Sequence, residues 1–267
     1  MSHVMNCELN LSCCMISGAE AHRIRGALES VRGLASEIIV VLNEDVADDT
    51  DRMAEEYGAK VYREPWKGHI SQKNSAAEKA TQPWILGLDA DEVVSEELRA
   101  EIVRTLQDPS KTSVFDAFEF PRLTQLEGRW IRHGDWYPDR QLRLWKRGHA
   151  RWGGINPHDH LQVNGKIGRL KSNLLHYTSE SLDKMIAKIA PYSQAFVQHF
   201  HESGKRPSIL NLGFRPFYRF FRGYILKLGF LDGWQGYFIA WSAGFAAAVR
   251  YSKTFIPPKS DKKDTPS

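Results

Sequence analysis

The chain has 267 residues, 42% hydrophobic and 25% charged, with a net charge of +4. That composition excludes a mainly disordered chain, and three cysteines exclude a disulfide scaffold. Cys7, Cys13 and Cys14 offer no metal-ligand spacing, so reduced thiols of a cytosolic compartment are expected. The mild positive charge points toward anionic partners. The start is polar and interrupted by Glu8, so no signal peptide is read there.

In chain order, Leu9 to Ile16 is an apolar run suited to a buried strand. Ile24, Ala27, Leu28 and Val31 then recur at helical intervals. Glu37 to Leu42 (EIIVVL) is the clearest strand of the chain. Asp48 to Tyr57 is a helix opened by acids and ended by Gly58, and Ala59 to Arg63 returns as a strand. Ser71 to Ala80 reads as helix, Trp84 to Leu88 as strand, and Ser95 to Leu106 as helix with Ser95 at its start. This βαβαβαβα alternation predicts an α/β fold, a mostly parallel sheet with helices on both faces. Ligands of such sheets bind beyond the carboxyl ends of the strands.

From Val114 to about Val163 short strands (114–121, 141–145) sit among Gly, Pro, Trp and His, as extra strands and long loops closing over the sheet. Ser181 to Ser203 is helical, with a kink expected at Pro191. The predicted organisation is an α/β domain at 1–180, a helical segment at 181–205, aromatic and basic helices at 206–256, and a disordered tail at 257–267.

Chemistry is expected first at Leu86-Gly-Leu-Asp-Ala-Asp-Glu92. Two carboxylates two residues apart at the end of a buried strand can point the same way and hold a hard divalent cation. An acidic helix cap is the plain alternative, and Asp-x-Asp alone favours it. It does not stand alone. Trp66-Lys-Gly-His-Ile-Ser-Gln-Lys-Asn74 lies upstream. His133 to Trp145 (HGDWYPDRQLRLW), Pro157-His-Asp-His160 and Leu175-His-Tyr-Thr-Ser-Glu-Ser181 lie downstream.

In this order the motifs resemble the family 2 glycosyltransferases of GT-A fold, in the bacterial branch associated with lipopolysaccharide-core and other lipid-linked glycans. The resemblance covers roughly residues 9 to 253. It implies an inverting transfer from a nucleotide sugar, most simply a UDP-sugar, assisted by Mn2+ or Mg2+. It implies Glu20 near the nucleobase, although the usual Asn-Glu-Glu reads Ala19-Glu20-Ala21 here. Asn43 stands where the family often has an Asp for base or ribose. Gln72 and Lys73 match the segment beside the donor, Asp89 a contact to ribose or sugar, and Asp91 the metal ligand. His176 matches a histidine that completes the metal shell in related enzymes. A base must accept the acceptor's proton; both Asp159 and Asp139 are candidates. The branch usually has Val-His-Glu where this chain has Pro157-His158-Asp159.

Arg140, Arg143, Lys146 and Arg147 cluster with Trp136, Tyr137 and Trp145, a composition suited to binding phosphate and stacking on a sugar ring. Single-stranded nucleic acid suits the same composition, but the acidic Asp-x-Asp loop would repel it, so no nucleic-acid partner is expected. Residues 206 to 256 hold seven Lys or Arg and one acid, Asp232, among dense aromatics. Arg215 to Lys227 mixes cations and aromatics at helical spacing, as does a helix in a membrane interface. Gly233 to Val249 is uncharged for seventeen residues, short of the ~20 that span a bilayer. A re-entrant or surface-lying helix pair is therefore favoured over a span, with packing on the catalytic domain or a homodimer interface as the water-soluble alternative. The expected site of action is the cytoplasmic face of the inner membrane, with a lipid-linked or lipopolysaccharide acceptor. A nucleotidyltransferase fits less well, because Ser17-Gly18-Ala19-Glu20 lacks a Gly- and basic-rich nucleotide loop. A catalytically inactive membrane scaffold is the non-enzymatic alternative.

Overall fold

The computed structural model describes residues 9–155, 158–178 and 181–257. Cys7, Glu8, Pro157, Ser179, Glu180 and the tail after residue 257 lie outside them. The chain forms two units: residues up to 124 with 139–177, and residues 125–138 with 178 onward. The second unit thus includes an excursion from the middle of the chain, which the expected boundary at residue 180 does not anticipate.

The first unit opens with β1 (Leu9–Ser17), α1 (Ala21–Val31), β2 (Ala35–Asn43), α2 (Thr50–Glu56), β3 (Lys60–Glu64), α3 (His69–Glu78) and β4 (Trp84–Asp89). It continues with β5 (Glu92–Val94), α4 (Glu96–Leu106), the single turn α5 (Pro109–Thr112) and β6 (Ala117–Leu126). Within the second unit β7 (Arg129–Trp130) pairs back onto Gln125 and Leu126. Glu127 and Gly128 both take positive φ, as the tight two-residue turn between them requires. The first unit resumes with β8 (Asp139–Lys146), β9 (Ala150–Ile155), β10 (His158–Val163), β11 (Ile167–Arg169) and β12 (Leu174–His176).

The sheet order is β3-β2-β1-β4-β8-β6-β12-β5. The first four strands run parallel, and β8 is antiparallel to both β4 and β6. The chain winds outward from β1 to β3, then returns to place β4 on the other side of β1. That reversal opens a crevice at the carboxyl ends of β1 and β4. Alternate residues of the central strands face two cores. Leu11, Cys13, Met15, Ile38, Val40 and Leu42 meet α1, α2 and α4 on one side. Cys14, Ile39 and Val41 meet α3 and the β9–β10 hairpin on the other, with Trp145 and Trp152. Gly87 permits the latter packing, since a Cβ there would lie 3.1 Å from the Trp145 ring. Burial pushes the Cys13 and Cys14 thiols up, so both stay protonated and inert.

Glu37 fastens the same sheet. It is buried and accepts from Ser12 Oγ at 2.5 Å, Thr81 N at 2.8 Å and Lys60 Nζ at 2.9 Å. It therefore ties β1, β3 and the entry to β4 to its own strand. Ser95 caps α4 as expected, its Oγ accepting from Leu98 N at 3.1 Å.

The second unit contains α6 (Leu182–Glu202), α7 (Ile209–Phe221) and α8 (Gly233–Lys253). Pro191 sits inside α6 without ending it. Its small core joins Leu126, Ile131 and Ile239 to Trp136, Leu182 and Met185. Buried Asp232 accepts from the backbone N–H groups of Arg132 and His133 at 3.0 and 2.7 Å, and lies 3.1 Å from His133 Nδ1. Gly236 lets α8 meet the preceding turn: a Cβ there would overlap the Gly229 carbonyl. Among the described residues no helix is long and apolar enough to cross a membrane.

Candidate functional site

A cleft of about 570 Å³ opens at the topological reversal of the first unit. Its walls come from the ends of successive elements. Ile16 and Ser17 end β1, Gly18 follows it, and Glu20 opens α1. Asn43 ends β2, and Asp89, Ala90 and Asp91 leave β4. Lys73 comes from α3, Asp159 from β10 and His176 from β12. Seven residues singled out in the sequence, Glu20, Asn43, Lys73, Asp89, Asp91, Asp159 and His176, thus meet in one cavity.

Lys73 Nζ is the hub. It lies 2.9 Å from Asp89 Oδ1 and 2.9 Å from Asp159 Oδ2, and 4.6 Å from the centre of the Trp152 ring. Asn74, the next residue of α3, clamps the hairpin that carries Asp159. Its Nδ2 donates to Trp152 O at 3.0 Å, and its Oδ1 accepts from Trp152 N at 2.9 Å. The helix supplying the cation and the hairpin supplying the carboxylate are therefore locked in register.

Asp89 sits between two cations, Lys73 on Oδ1 and Arg143 Nη2 at 2.6 Å on Oδ2. Burial alone would raise its carboxyl, but Arg143 and Lys73 outweigh burial and hold it far below the usual carboxylate range. Burial alone would lower the Arg143 guanidinium, but Asp89 and Glu92 raise it instead. Glu92, which the sequence offers only as a helix cap, is completely buried. Its Oε1 accepts from Arg143 at 2.8 Å and Arg122 at 3.3 Å, and its Oε2 from the Asp89 N–H at 3.1 Å. Glu92 thus fixes the shape of the Asp-Ala-Asp turn from below.

Asp91 Oδ2 and His176 Nε2 stand 3.3 Å apart. His176 is oriented by Thr124, whose Oγ1 lies 3.2 Å from Nδ1, leaving Nε2 for the cleft. A carboxylate oxygen and an imidazole nitrogen fit a divalent cation bound jointly with a diphosphate, which would fill the remaining positions. Among the described residues no three His, Cys, Asp or Glu form a metal-holding cluster. The protein's share of such a site would be the Asp91–His176 pair.

Four expected site residues lie elsewhere. Gln72 is fully buried outside the cleft lining, and neither amide atom meets a partner among the described residues. Arg143 is expected on the donor but is 4% exposed and turned beneath the cleft floor. The cause is a bulge: pairing with β6 steps from Leu144 to Leu142 and leaves Arg143 as the extra residue, so its side chain is re-aimed. Arg140 leaves the cleft, donating to Leu170 O at 3.3 Å and standing 3.9 Å from Glu119. Asp139 accepts from Arg122 Nε at 2.9 Å and Gln141 Nε2 at 2.8 Å, also outside the cleft lining. Of the two candidate bases, only Asp159 faces the cavity.

Trp66 and His69 line the cavity without having been assigned a role, their rings edge to face at 4.8 Å. Trp66 is 49% exposed, which is unusual for so large an apolar ring. Asn43 Oδ1 is buried without a hydrogen-bond partner among the described residues, an acceptor left for a ligand donor.

The model of Glycosyl transferase family 2 matches residues 12–164. An uncharacterized glycosyltransferase of Rickettsia bellii is 30% identical over 253 residues, covering 91% of this chain and 85% of that protein. The lipopolysaccharide core biosynthesis glycosyltransferase LpsC of Rhizobium meliloti is 28% identical over 255 residues, 93% of each chain. Among solved structures, S. aureus TarS 1–349 in complex with UDP superposes with a TM-score of 0.50 at 14% identity, covering 91% of each chain. That likeness concerns the fold, which is GT-A-like α/β as expected; the sheet is mixed rather than mostly parallel, because β8, β12 and β5 add antiparallel pairings beyond the parallel β3-β2-β1-β4 half.

Proposed function

The chain belongs to glycosyltransferase family 2, and on that premise we propose that it moves a sugar from a UDP-sugar to a hydroxyl of a lipopolysaccharide-core or other lipid-linked acceptor. The observation that carries this reading is the convergence of Asp89, Asp91, His176, Lys73 and Asp159 on one cleft at the sheet's reversal point. The likeness to LpsC supports the acceptor class, and the UDP bound by TarS supports the nucleotide.

The donor would lie along the carboxyl ends of β1, β2 and β4. Asn43 and Glu20 face the nucleobase end, with Trp66 offering a ring to stack on. Lys73 turns its charge to the diphosphate, where a cation stabilises the departing charge. Asp89, kept ionised by Arg143 and Lys73, accepts hydrogen bonds from donor hydroxyls. A divalent cation, Mn2+ or Mg2+, held by Asp91 and His176 would neutralise charge on the leaving diphosphate.

The step is a single displacement with inversion. The acceptor oxygen bonds to the anomeric carbon, the bond from that carbon to the diphosphate oxygen breaks, and the diphosphate keeps the electron pair. Asp159 receives the acceptor's proton. Its Oδ2 is held in the cleft by Lys73 at 2.9 Å. A nucleotide donor and a lipid-linked acceptor meet at the cytoplasmic face of the inner membrane, where the enzyme would work.

Calorimetric titration of UDP, GDP and CDP with and without Mn2+ tests the reading. Metal-dependent UDP binding, lost in Asp91→Ala with the fold intact, is expected. A well-folded protein that binds no nucleotide refutes a working transferase.

A further inference from the structure

From the second unit alone we infer that α7, α8 and the turn between them form a docking face for an anionic lipid bilayer, the cations meeting lipid phosphates and the aromatic rows entering the headgroup–acyl boundary. The inference deepens the membrane placement proposed above and does not depend on the donor chemistry.

The apolar residues of this face are arranged, not scattered. No residue of α7 is buried. Leu210, Phe214, Phe217 and Phe221 follow one another at four-, three- and four-residue steps, and all are exposed. Phe214 is 61% and Phe217 65% exposed. On α8 the row is Trp234, Tyr237, Trp241 and Phe245, again exposed at helical steps. The opposite side of α8 is buried through Gly236, Ile239, Ala240 and Gly244. Gly244 brings the two helices together, since a Cβ there would lie 3.0 Å from Pro216 O and 3.4 Å from Phe220 Cβ. Rings stack along each row, Phe217 on Phe221 at 6.0 Å and Trp241 on Phe245 at 5.3 Å. The connecting turn adds exposed Leu226, Leu228, Phe230 and Leu231. Two adjoining rows of large exposed apolar side chains far exceed the isolated ones normal on a soluble surface.

Charge selects the occupant. Residues 206 to 256 carry seven Lys or Arg, and their one acid, Asp232, is buried on His133. Arg219, Arg222 and Lys227 all gather on one carboxylate, Asp135, which neutralises only one of the three. Arg215 stands exposed on the same helix. Aromatic rows on helices that also carry surplus cations match an anionic bilayer, where rings rest at headgroup depth and each cation gains from the surface potential. A second copy of the chain matches poorly. A twofold contact would set this face against itself, cation against cation, with Asp135 already shared by three of them.

The test is flotation of the full chain with liposomes of phosphatidylcholine, with and without phosphatidylglycerol. Partition should be at least about tenfold stronger to the phosphatidylglycerol vesicles, and raised salt should weaken it. Phe217→Ser and Trp241→Ser should each reduce partition by about tenfold, because each removes a large exposed ring that the bilayer would bury. Arg215→Glu should erase the preference for phosphatidylglycerol. These side chains are exposed, so an unchanged thermal melt is expected and confirms that each variant folds. Absence of wild-type binding, or equal binding by all variants, overturns the inference. So does a dimer in sedimentation that Phe217→Ser dissolves while vesicle binding is nil. Loss of nucleotide binding would refute the donor reading and leave this docking face standing.

Discussion

Glu92→Ala tests the logic of the site more sharply than any change in the cleft itself. The wild-type carboxylate is completely buried and receives Arg143 at 2.8 Å, Arg122 at 3.3 Å and the Asp89 N–H at 3.1 Å. Alanine removes all three bonds and leaves the buried Arg143 guanidinium with Asp89 as its one carboxylate. Breaking one side of a buried ion pair costs about 3–5 kcal/mol, since the remaining charge keeps its desolvation penalty. For a chain of this size that corresponds to a fall of roughly 6–20 °C in melting temperature. Glu92→Gln keeps an acceptor and loses only the charge, so its cost should be smaller, about 2 kcal/mol. Urea denaturation followed by circular dichroism reads both. The same variants should weaken metal-dependent UDP binding, because the Asp89 backbone loses its staple. If Glu92→Ala unfolds within about 1 kcal/mol of wild type, Glu92 is not the anchor described here.

Two further outcomes follow from the geometry. The Glu37 carboxyl is lowered from 4.5 to about 2; burial opposes this, but Ser12, the Thr81 N–H and Lys60 outweigh it. Because the folded value is depressed, its contribution is fully present above about pH 5 and is lost as pH falls toward 2, by roughly 3 kcal/mol. Glu37→Gln should flatten the acid limb of stability between those values in pH-dependent urea melts, and an unchanged limb would count against the assignment. Asp159→Asn should cut kcat by at least about a hundredfold with little change in UDP affinity, as loss of a general base does. Asp139→Asn should act mainly on stability through Arg122. Steady-state kinetics showing the reverse order would transfer the base to Asp139.

Much of this protein was legible in one dimension. Parallel strands buried on both faces must be nearly continuous apolar runs, so Leu9–Ser17, Ala35–Asn43 and Trp84–Asp89 announce themselves. Asp89 and Asp91 followed from their place at the end of such a run. Phe214, Phe217 and Phe221 carried their helical spacing in plain view. Three-dimensional packing decided the rest. Asp139 and Asp159 are equivalent as acids in a motif, and only the hairpin clamped by Asn74 brings one of them to Lys73. Arg143 resembles a ligand-binding arginine until a one-residue bulge turns it under the floor to Glu92. Residues 125–138 belong with the C-terminal helices because Asp232, a hundred residues onward, takes the N–H groups of Arg132 and His133. Periodicity and strand-end carboxylates are local properties, set by the backbone's own repeat, and so the sequence alone determined them. Which charged side chain faces the cleft and which is buried as a counter-ion depends on register and on partners far along the chain, and only the folded sheet could decide it.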